Sequence, residues 1–292
     1  MIGRGISPDA YTFSILIYAM CKEGMVKMAH ALLDLTIARG VEPNTVTYNS
    51  LLDGYCLQNQ MDEATKVLLS MVVRGCEPNV ISYNILINGY CKAKKMDESM
   101  QICKDMCSKG LTPNVITYNL LISGLCKVMR VVKAQELFKE MQAHGPSPDA
   151  YTYTILLDGL FINGSYEEAM RLFEKMKNDG LKTNIVTYNI VINHMCKSNN
   201  LDEVKKLFDS LTPNNVTYNT MVQRFFQNNE IDKVDQLLND MIDKDFSLNA
   251  TNTSIIKDLQ QVGQKLNSLV WLIKFCQSTK VKGTVTAVEL DV

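Results

Sequence analysis

The chain has 292 residues, with 30 Lys and Arg against 31 Asp and Glu, a net charge of −1 and an apolar content of 46%. The length suffices for a large fold, and no apolar run is long enough to span a membrane. The near-neutral balance argues against a strongly basic nucleic-acid binder, and the sequence lacks a His-x-Glu with Cys-x-x-Cys zinc motif, a Gly-x-Ser-x-Gly elbow and a phosphate-binding glycine loop.

In chain order, Met1–Asp9 aligns with Met106–Asn114, so Met1 takes the slot of an internal methionine. The chain is expected to open in the second helix of a truncated repeat, with further repeats missing upstream and no signal or transit peptide at Met1. From Ala10 a phrase keeps returning: Val-Thr-Tyr-Asn-x-Leu-Leu-x-Gly-Tyr-Cys at Val46–Cys56, then Ile81–Cys91, Ile116–Cys126 and Val186–Cys196. Cys21, Cys56, Cys91 and Cys126 are 35 residues apart, and Met71, Met106, Met141 and Met176 keep the same step. A fixed period of this size predicts a solenoid of stacked units.

Within the repeat Thr45–Asn79, Tyr48, Leu51, Leu52, Tyr55 and Cys56 are spaced i, i+3, i+4, i+7, i+8, one apolar helical face. A short polar break follows, then a second helix whose first turn carries an acidic pair: Asp62-Glu63, Asp97-Glu98, Glu167-Glu168, Asp202-Glu203. These suit the positive end of the helix dipole, and their recurrence at the repeat period favours that role over acid–base catalysis. Ser165 with Glu168 and Asn200 with Glu203 have capping-box spacing. Each second helix is expected to end near Met-x-x-x-Gly, with Pro43, Pro78, Pro113 and Pro148 just beyond. The expected repeats are 10–44, 45–79, 80–114, 115–149, 150–184, 185–214 and 215–249. The sixth has 30 residues and lacks about a turn and a half at the end of its second helix. Residues 250–278 read as a degenerate repeat or cap that packs Trp271, and 279–292 as a flexible tail. The fold class is therefore all-α, a right-handed α-solenoid superhelix of helix-turn-helix repeats.

Five cysteines share one apolar slot and read as small hydrophobes in a reducing compartment. Cys103 and Cys107 lie one helical turn apart with no partner motif, so no metal and no cofactor is expected.

Thr-Tyr-Asn-x-Leu-Ile-x-Gly-x-Cys-Lys, then Asp-Glu-Ala, then Met-x-x-x-Gly-x-x-Pro-Asn on a period of 35 residues closely resembles the pentatricopeptide repeat over about 1–249, and is most similar to the plain P-class, restorer-of-fertility-like proteins of plants. The resemblance implies single-stranded RNA binding, one base per repeat. It implies reading by the fifth and last residues of each repeat: Ser14 with Asn44, Asn49 with Asn79, Asn84 with Asn114, Asn119 with Asp149, Thr154 with Asn184, Asn189 with Asn214, and Asn219 with Asn249. It further implies sandwiching of bases by Tyr11, Val46, Ile81, Ile116, Tyr151, Val186 and Val216, and phosphate contact by Lys22, Lys92, Lys127 and Lys197. The family's pairing preferences imply a site 5′-AYYUAYY-3′, the sixth base being the one that the short repeat endangers. They also imply an organellar setting, mitochondrial or alternatively chloroplast, and a role in RNA processing, stability or translation, with an organellar nuclease or other processing factor as possible partner.

The residues themselves are compatible with that chemistry. Ser, Thr, Asn and Asp are short groups able to address base edges, although capping at the fifth slot and turn formation at the last explain the same restriction. The first fifteen residues of the seven repeats hold Lys22, Lys92, Lys94, Lys127, Lys197 and Arg224 against Glu23, Asp53 and Asp158, a mildly positive side that also fits a plain solvated face. The chain is expected to perform no chemistry itself. The alternative is a protein-binding α-solenoid scaffold without RNA specificity.

Overall fold

In a computed structural model the described residues are 9–181, 183–197, 201–209 and 212–253. Residues 1–8 of the expected truncated repeat 1–9, the part of the expected degenerate repeat 250–278 beyond residue 253 with Trp271, the tail 279–292 and the cap Asn200 lie outside them. The described residues form paired helices and contain no strand. They fall into two compact units, Met1–Leu181 and Lys182–Val292. The first holds α1 (Ala10–Lys22), α2 (Val26–Ala38), α3 (Thr45–Leu57), α4 (Met61–Val73), α5 (Val80–Lys92), α6 (Met96–Ser108), α7 (Val115–Lys127), α8 (Val131–His144), α9 (Ala150–Ile162) and α10 (Tyr166–Asn178). The second holds α11 (Ile185–Lys197), α12 (Leu201–Asp209), α13 (Asn215–Gln227) and α14 (Ile231–Asp243). In the first unit each odd-numbered helix packs on its own partner and on the next odd-numbered helix, while α2, α4, α6 and α8 also lean on the odd-numbered helix that follows. In the second, α13 packs on α11 and α14. This is an all-α solenoid of helix-turn-helix repeats.

The apolar slots read from the sequence are the core. Tyr48, Leu51, Leu52 and Tyr55 are buried, as are their counterparts Tyr83, Leu86, Ile87 and Tyr90. Leu16 differs: it fills the slot of Leu51 but is 45% exposed.

Helix ends explain the tight pairing. The first helices end in Schellman turns, with Gln60 N–H bonded to Tyr55 C=O at 2.9 Å and Arg130 N–H to Leu125 C=O at 2.9 Å. The residue between is left-handed, glycine at Gly24 and Gly164 but Asn59, Lys94, Met129 and Asn229 elsewhere. This three-residue link leaves Ser165 at ψ 58 rather than extended, so its side chain makes no cap and the expected box with Glu168 does not form. The acidic pairs do sit in the first turns of α4, α6 and α10. Side-chain capping has moved to the first helices. Asp9, Asn44, Asn79, Asn114, Asp149 and Asn214 are extended, and each accepts the N–H of the third helical residue.

The shortened α12 has 9 residues where most helices have 13. The deletion falls after Phe208, so that ring still meets Tyr218 edge-on at 5.0 Å, as Phe138 meets Tyr153 at 5.1 Å. The repeat loses length without losing its aromatic contact to the next.

Successive first helices approach closely through a glycine. A Cβ placed on Gly54, Gly89, Gly124 or Gly159 would lie 2.9, 2.7, 2.7 or 2.2 Å from the sulfur of Cys21, Cys56, Cys91 or Cys126 in the preceding repeat. Burial pushes the Cys21 and Cys126 thiols up to about 11 and Cys56 to about 12, with Asp53 adding to the shift at Cys21 and Cys56 and Asp158 at Cys126. These are small apolar knobs, not reactive groups.

Gly159→Ala is expected to destabilise the protein by about 1–3 kcal/mol despite alanine's better helix propensity. Its Cβ would stand 2.6 Å from Cys126 Cβ, which no rotamer change moves. A lowered urea midpoint checks this; an unchanged or raised midpoint contradicts it.

The thiols give a second test. At pH 8 an alkylating agent should modify exposed Cys107 in the folded protein and leave Cys21, Cys56, Cys126 and Cys196 intact. Because the folded state holds these protons more tightly than the unfolded chain, stability should be level below pH 9 and fall as pH rises from there towards 11–12. Mass mapping after alkylation and melting against pH read the two outcomes.

Candidate nucleic-acid interface

Each first helix begins with an extended cap residue, one helical residue, then a side chain that points away from the core. Tyr11, Val46, Ile81, Ile116, Tyr151, Val186 and Val216 occupy that position and are between 54% and 71% exposed. An apolar side chain exposed once per repeat is a ladder of surfaces that packing inside the chain does not use. Three residues on, the fifth residue of the repeat turns inward: Ser14, Asn84, Asn119, Thr154 and Asn219 are between 5% and 9% exposed. The last residue of each repeat is the cap of the next first helix, and Asn44, Asn79, Asn114, Asp149, Asn184 and Asn249 stand exposed.

These three positions meet in clefts. In the first unit Ile116 and Tyr151 flank a cleft of about 540 Å³ that also contains Asn119 and Asp149, with Lys92 and Lys127 on its wall. In the second unit Val186 and Val216 flank a cleft of about 440 Å³ that contains Asn189 and Asn214. The pair set at risk by the short repeat is thus brought together all the same. Two further pairs touch: Asn84 Nδ2 lies 3.4 Å from Asn114 Oδ1, and the backbone N–H of Asn249 donates to Asn219 Oδ1 at 2.8 Å.

The polar alternatives sort differently from the sequence reading. The cap is the last residue, not the fifth. The fifth residue joins one repeat to the next through the third residue of the following repeat. Ser82 Oγ donates to Asn49 Oδ1 at 2.6 Å, and Thr117 Oγ1 to Asn84 Oδ1 at 2.7 Å. Sequence reasoning missed this partner and the glycine that admits the cysteine. Both recur at the repeat period, the hydroxyl as Thr12, Thr47, Ser82, Thr117, Thr152, Thr187 and Thr217.

The four lysines are unequal. Lys22 lies 3.4 Å from Asp53 and over the ring of Tyr18. The ion pairs among the described residues leave Lys92 and Lys127 without a carboxylate. The side chain of Lys197 is outside the described residues. Among those residues no three His, Cys, Asp or Glu form a metal-binding group, and no helix is long and apolar enough to cross a membrane.

Fold and site together define a helical-repeat protein with one exposed apolar side chain and one polar pair per repeat. The PPR repeat family matches residues 15–57, 43–92, 78–127, 113–162, 157–197 and 213–259, and a PPR repeat matches 186–212. The chain belongs to the PPR repeat family. No curated protein matches it in sequence. Among solved structures it is similar to the pentatricopeptide repeat protein PPR10 from maize, with 26% identity, a TM-score of 0.59, and coverage of 87% of this chain and 42% of that one. A structure of PPR10 in complex with an 18-nt psaJ RNA element gives 24% identity, a TM-score of 0.56, and 94% and 44% coverage. The PPR domain of Arabidopsis thaliana protein-only RNase P 1 in complex with tRNA gives 18% identity, a TM-score of 0.50, and coverage of 68% of this chain and all of that one. The chain thus spans less than half the length of the PPR10 structures that it matches.

Proposed function

We propose that this chain binds single-stranded RNA in a sequence-dependent manner, one base per repeat, and performs no chemistry itself. The observation that carries the reading is the exposed apolar side chain at the second residue of every repeat, which at Ile116 and Tyr151 in the first unit and at Val186 and Val216 in the second flanks a polar pair. A base has two faces that seek apolar or aromatic surface and one edge that seeks hydrogen bonds, and the cleft between Ile116 and Tyr151 offers both. Family membership and the RNA complexes of PPR10 and of the RNase P 1 PPR domain support the same reading.

The pairs set the sequence. Asp149 supplies a carboxylate that only accepts, which suits the N3–H of uracil; Asn at the same slot offers both a donor and an acceptor. With the family's preferences the site is 5′-AYYUAYY-3′. Phosphate neutralisation is slight, since Lys92 and Lys127 stand free while Lys22 is shared with Asp53. The protein is placed in mitochondria, with chloroplasts as the alternative. There it is a P-class, restorer-of-fertility-like factor that shields, guides or remodels a transcript, alone or beside a processing nuclease.

Ile116→Asp should weaken binding of this RNA by roughly tenfold to a hundredfold while leaving helicity unchanged, because stacking contributes about 1–3 kcal/mol per base. Filter binding and circular dichroism read the two quantities. Unchanged affinity would remove the stacking ladder, and capture of a peptide with no RNA binding would favour the scaffold.

Asp149→Asn tests the base assignment. Asparagine caps a helix as well as aspartate does, so α9 should stay intact. Preference at the fourth base should move from U towards C in a competition between RNAs that differ only there; an unmoved preference contradicts reading by Asp149.

A further inference from the structure

The fifth-slot asparagine has an ambiguity that its shape does not resolve. An amide has an oxygen at one end and an NH2 at the other, nearly equal in size, and which end faces a ligand is set by hydrogen bonds alone. In this protein the deciding bond comes from the next repeat. Thr117 Oγ1 accepts from Asn114 N–H at 3.2 Å. Its single proton has two acceptors in reach, Asn84 Oδ1 at 2.7 Å and Asn114 Oδ1 at 3.1 Å. The shorter contact, buried between the two repeats, turns the Asn84 oxygen inward. Asn84 Nδ2 is then left towards Asn114 at the exposed edge, 3.4 Å away. Ser82 treats Asn49 the same way, with 2.6 Å to Asn49 Oδ1 against 3.3 Å to Asn79 Oδ1.

A hydroxyl in the fifth slot answers the same donor differently. Ser14 Oγ donates its own proton to Ala10 C=O at 2.7 Å and lies 2.6 Å from Thr47 Oγ1, whose proton also has Asn44 Oδ1 in reach at 3.1 Å; with the Ser14 proton on Ala10, the shorter contact takes the Thr47 proton. What remains for a ligand is a lone pair. The third-slot hydroxyl therefore makes Asn a donor and Ser an acceptor. Those faces complement the O2 acceptor of a pyrimidine and the N6 amine of adenine respectively.

The arrangement is absent in two repeats. Thr152 Oγ1 lies 2.8 Å from the Asp149 carboxylate, and the buried Asn119 Oδ1 has no partner. Thr217 likewise bonds Asn214 at 3.0 Å, and Asn189 Oδ1 has no partner. Asn219 is held by a different donor in the same slot, Asn252 Nδ2 at 2.9 Å.

We propose that Ser82 and Thr117 are specificity-positioning residues: each fixes the amide of the reading asparagine in the preceding repeat, Asn49 or Asn84, so that its NH2 faces the base. This rests on the reading of the clefts as a single-stranded RNA interface. Thr117 also closes a capping box, so the test needs a readout that loss of a cap does not move.

The full chain is compared with its Thr117→Val and Thr117→Ser variants against 5′-ACCUACC-3′ and two RNAs carrying adenine at the third or the sixth base. In Thr117→Val the preference for pyrimidine at the third base should fall about three- to tenfold, the worth of one hydrogen bond. The preference at the sixth base should hold, and Thr117→Ser should keep both. Equal weakening towards all three RNAs, with the third-base preference retained, overturns the proposal and leaves Thr117 a cap only. Without RNA, the Asn84 side-chain amide, assigned by its loss in Asn84→Asp, should give one sharp proton–nitrogen pair in the unmodified chain and in Thr117→Ser. It should be doubled or broadened in Thr117→Val, and an unchanged signal overturns the hold on the amide. Absence of any base preference in the unmodified chain overturns the RNA reading, and the specificity role with it, while the amide signal still decides whether Thr117 holds Asn84.

Discussion

The binding face depends on how closely one first helix can approach the next. That distance is set where a cysteine enters the space left by a glycine. In the first unit the four contacts from Cys21–Gly54 to Cys126–Gly159 leave no room for even a methyl group. Glycine inside a helix costs about 0.5–1 kcal/mol relative to alanine, a cost offset by the contacts that close approach allows. The thiol stays protonated because burial disfavours its charged form, so a residue with redox chemistry serves as a spacer.

Close approach has a polar consequence. With first helices this near, the third residue of one repeat reaches the fifth residue of the repeat before it, at 2.6–2.7 Å for Ser82 and Thr117. A slightly wider spacing would break these bonds and leave buried amide oxygens without partners, at a cost of about 1–3 kcal/mol each. The last residue of each repeat has two tasks at once. Asn114 Oδ1 accepts the Thr117 N–H as a helix cap and also faces Asn84. Capping and a second polar contact are therefore compatible in that slot, and the cap fixes where the side chain stands.

Periodic features were legible in the residues because every repeat states them again. The helix pairs and the buried slots of Tyr48, Leu51 and Leu52 follow from one apolar face repeated at a fixed step, and the acidic first turns recur with it; the second residues were indicated by the family resemblance. The capping box at Ser165 did not follow. Its spacing is right, but the Schellman turn before it leaves the backbone outside the extended region that a cap requires. The short sixth repeat suggested a displaced Asn214, yet the deletion falls beyond Phe208, and the residues that hold the cleft are intact.

The sequence by itself determined that the chain is a stack of helix pairs and which faces are buried; the resemblance to a repeat family added which positions to examine at the clefts. The first two are properties of residues a few positions apart, where helical geometry leaves little choice. The tertiary structure decided which atom of a fifth-slot side chain is held. Asn84 and Asn119 occupy the same slot, yet the oxygen of one is held by Thr117 and that of the other has no partner. The difference lies in which acceptor a hydroxyl 33 residues away bonds, the amide of the preceding repeat or its own helix cap, and only packing two repeats together brings those groups within hydrogen-bonding distance.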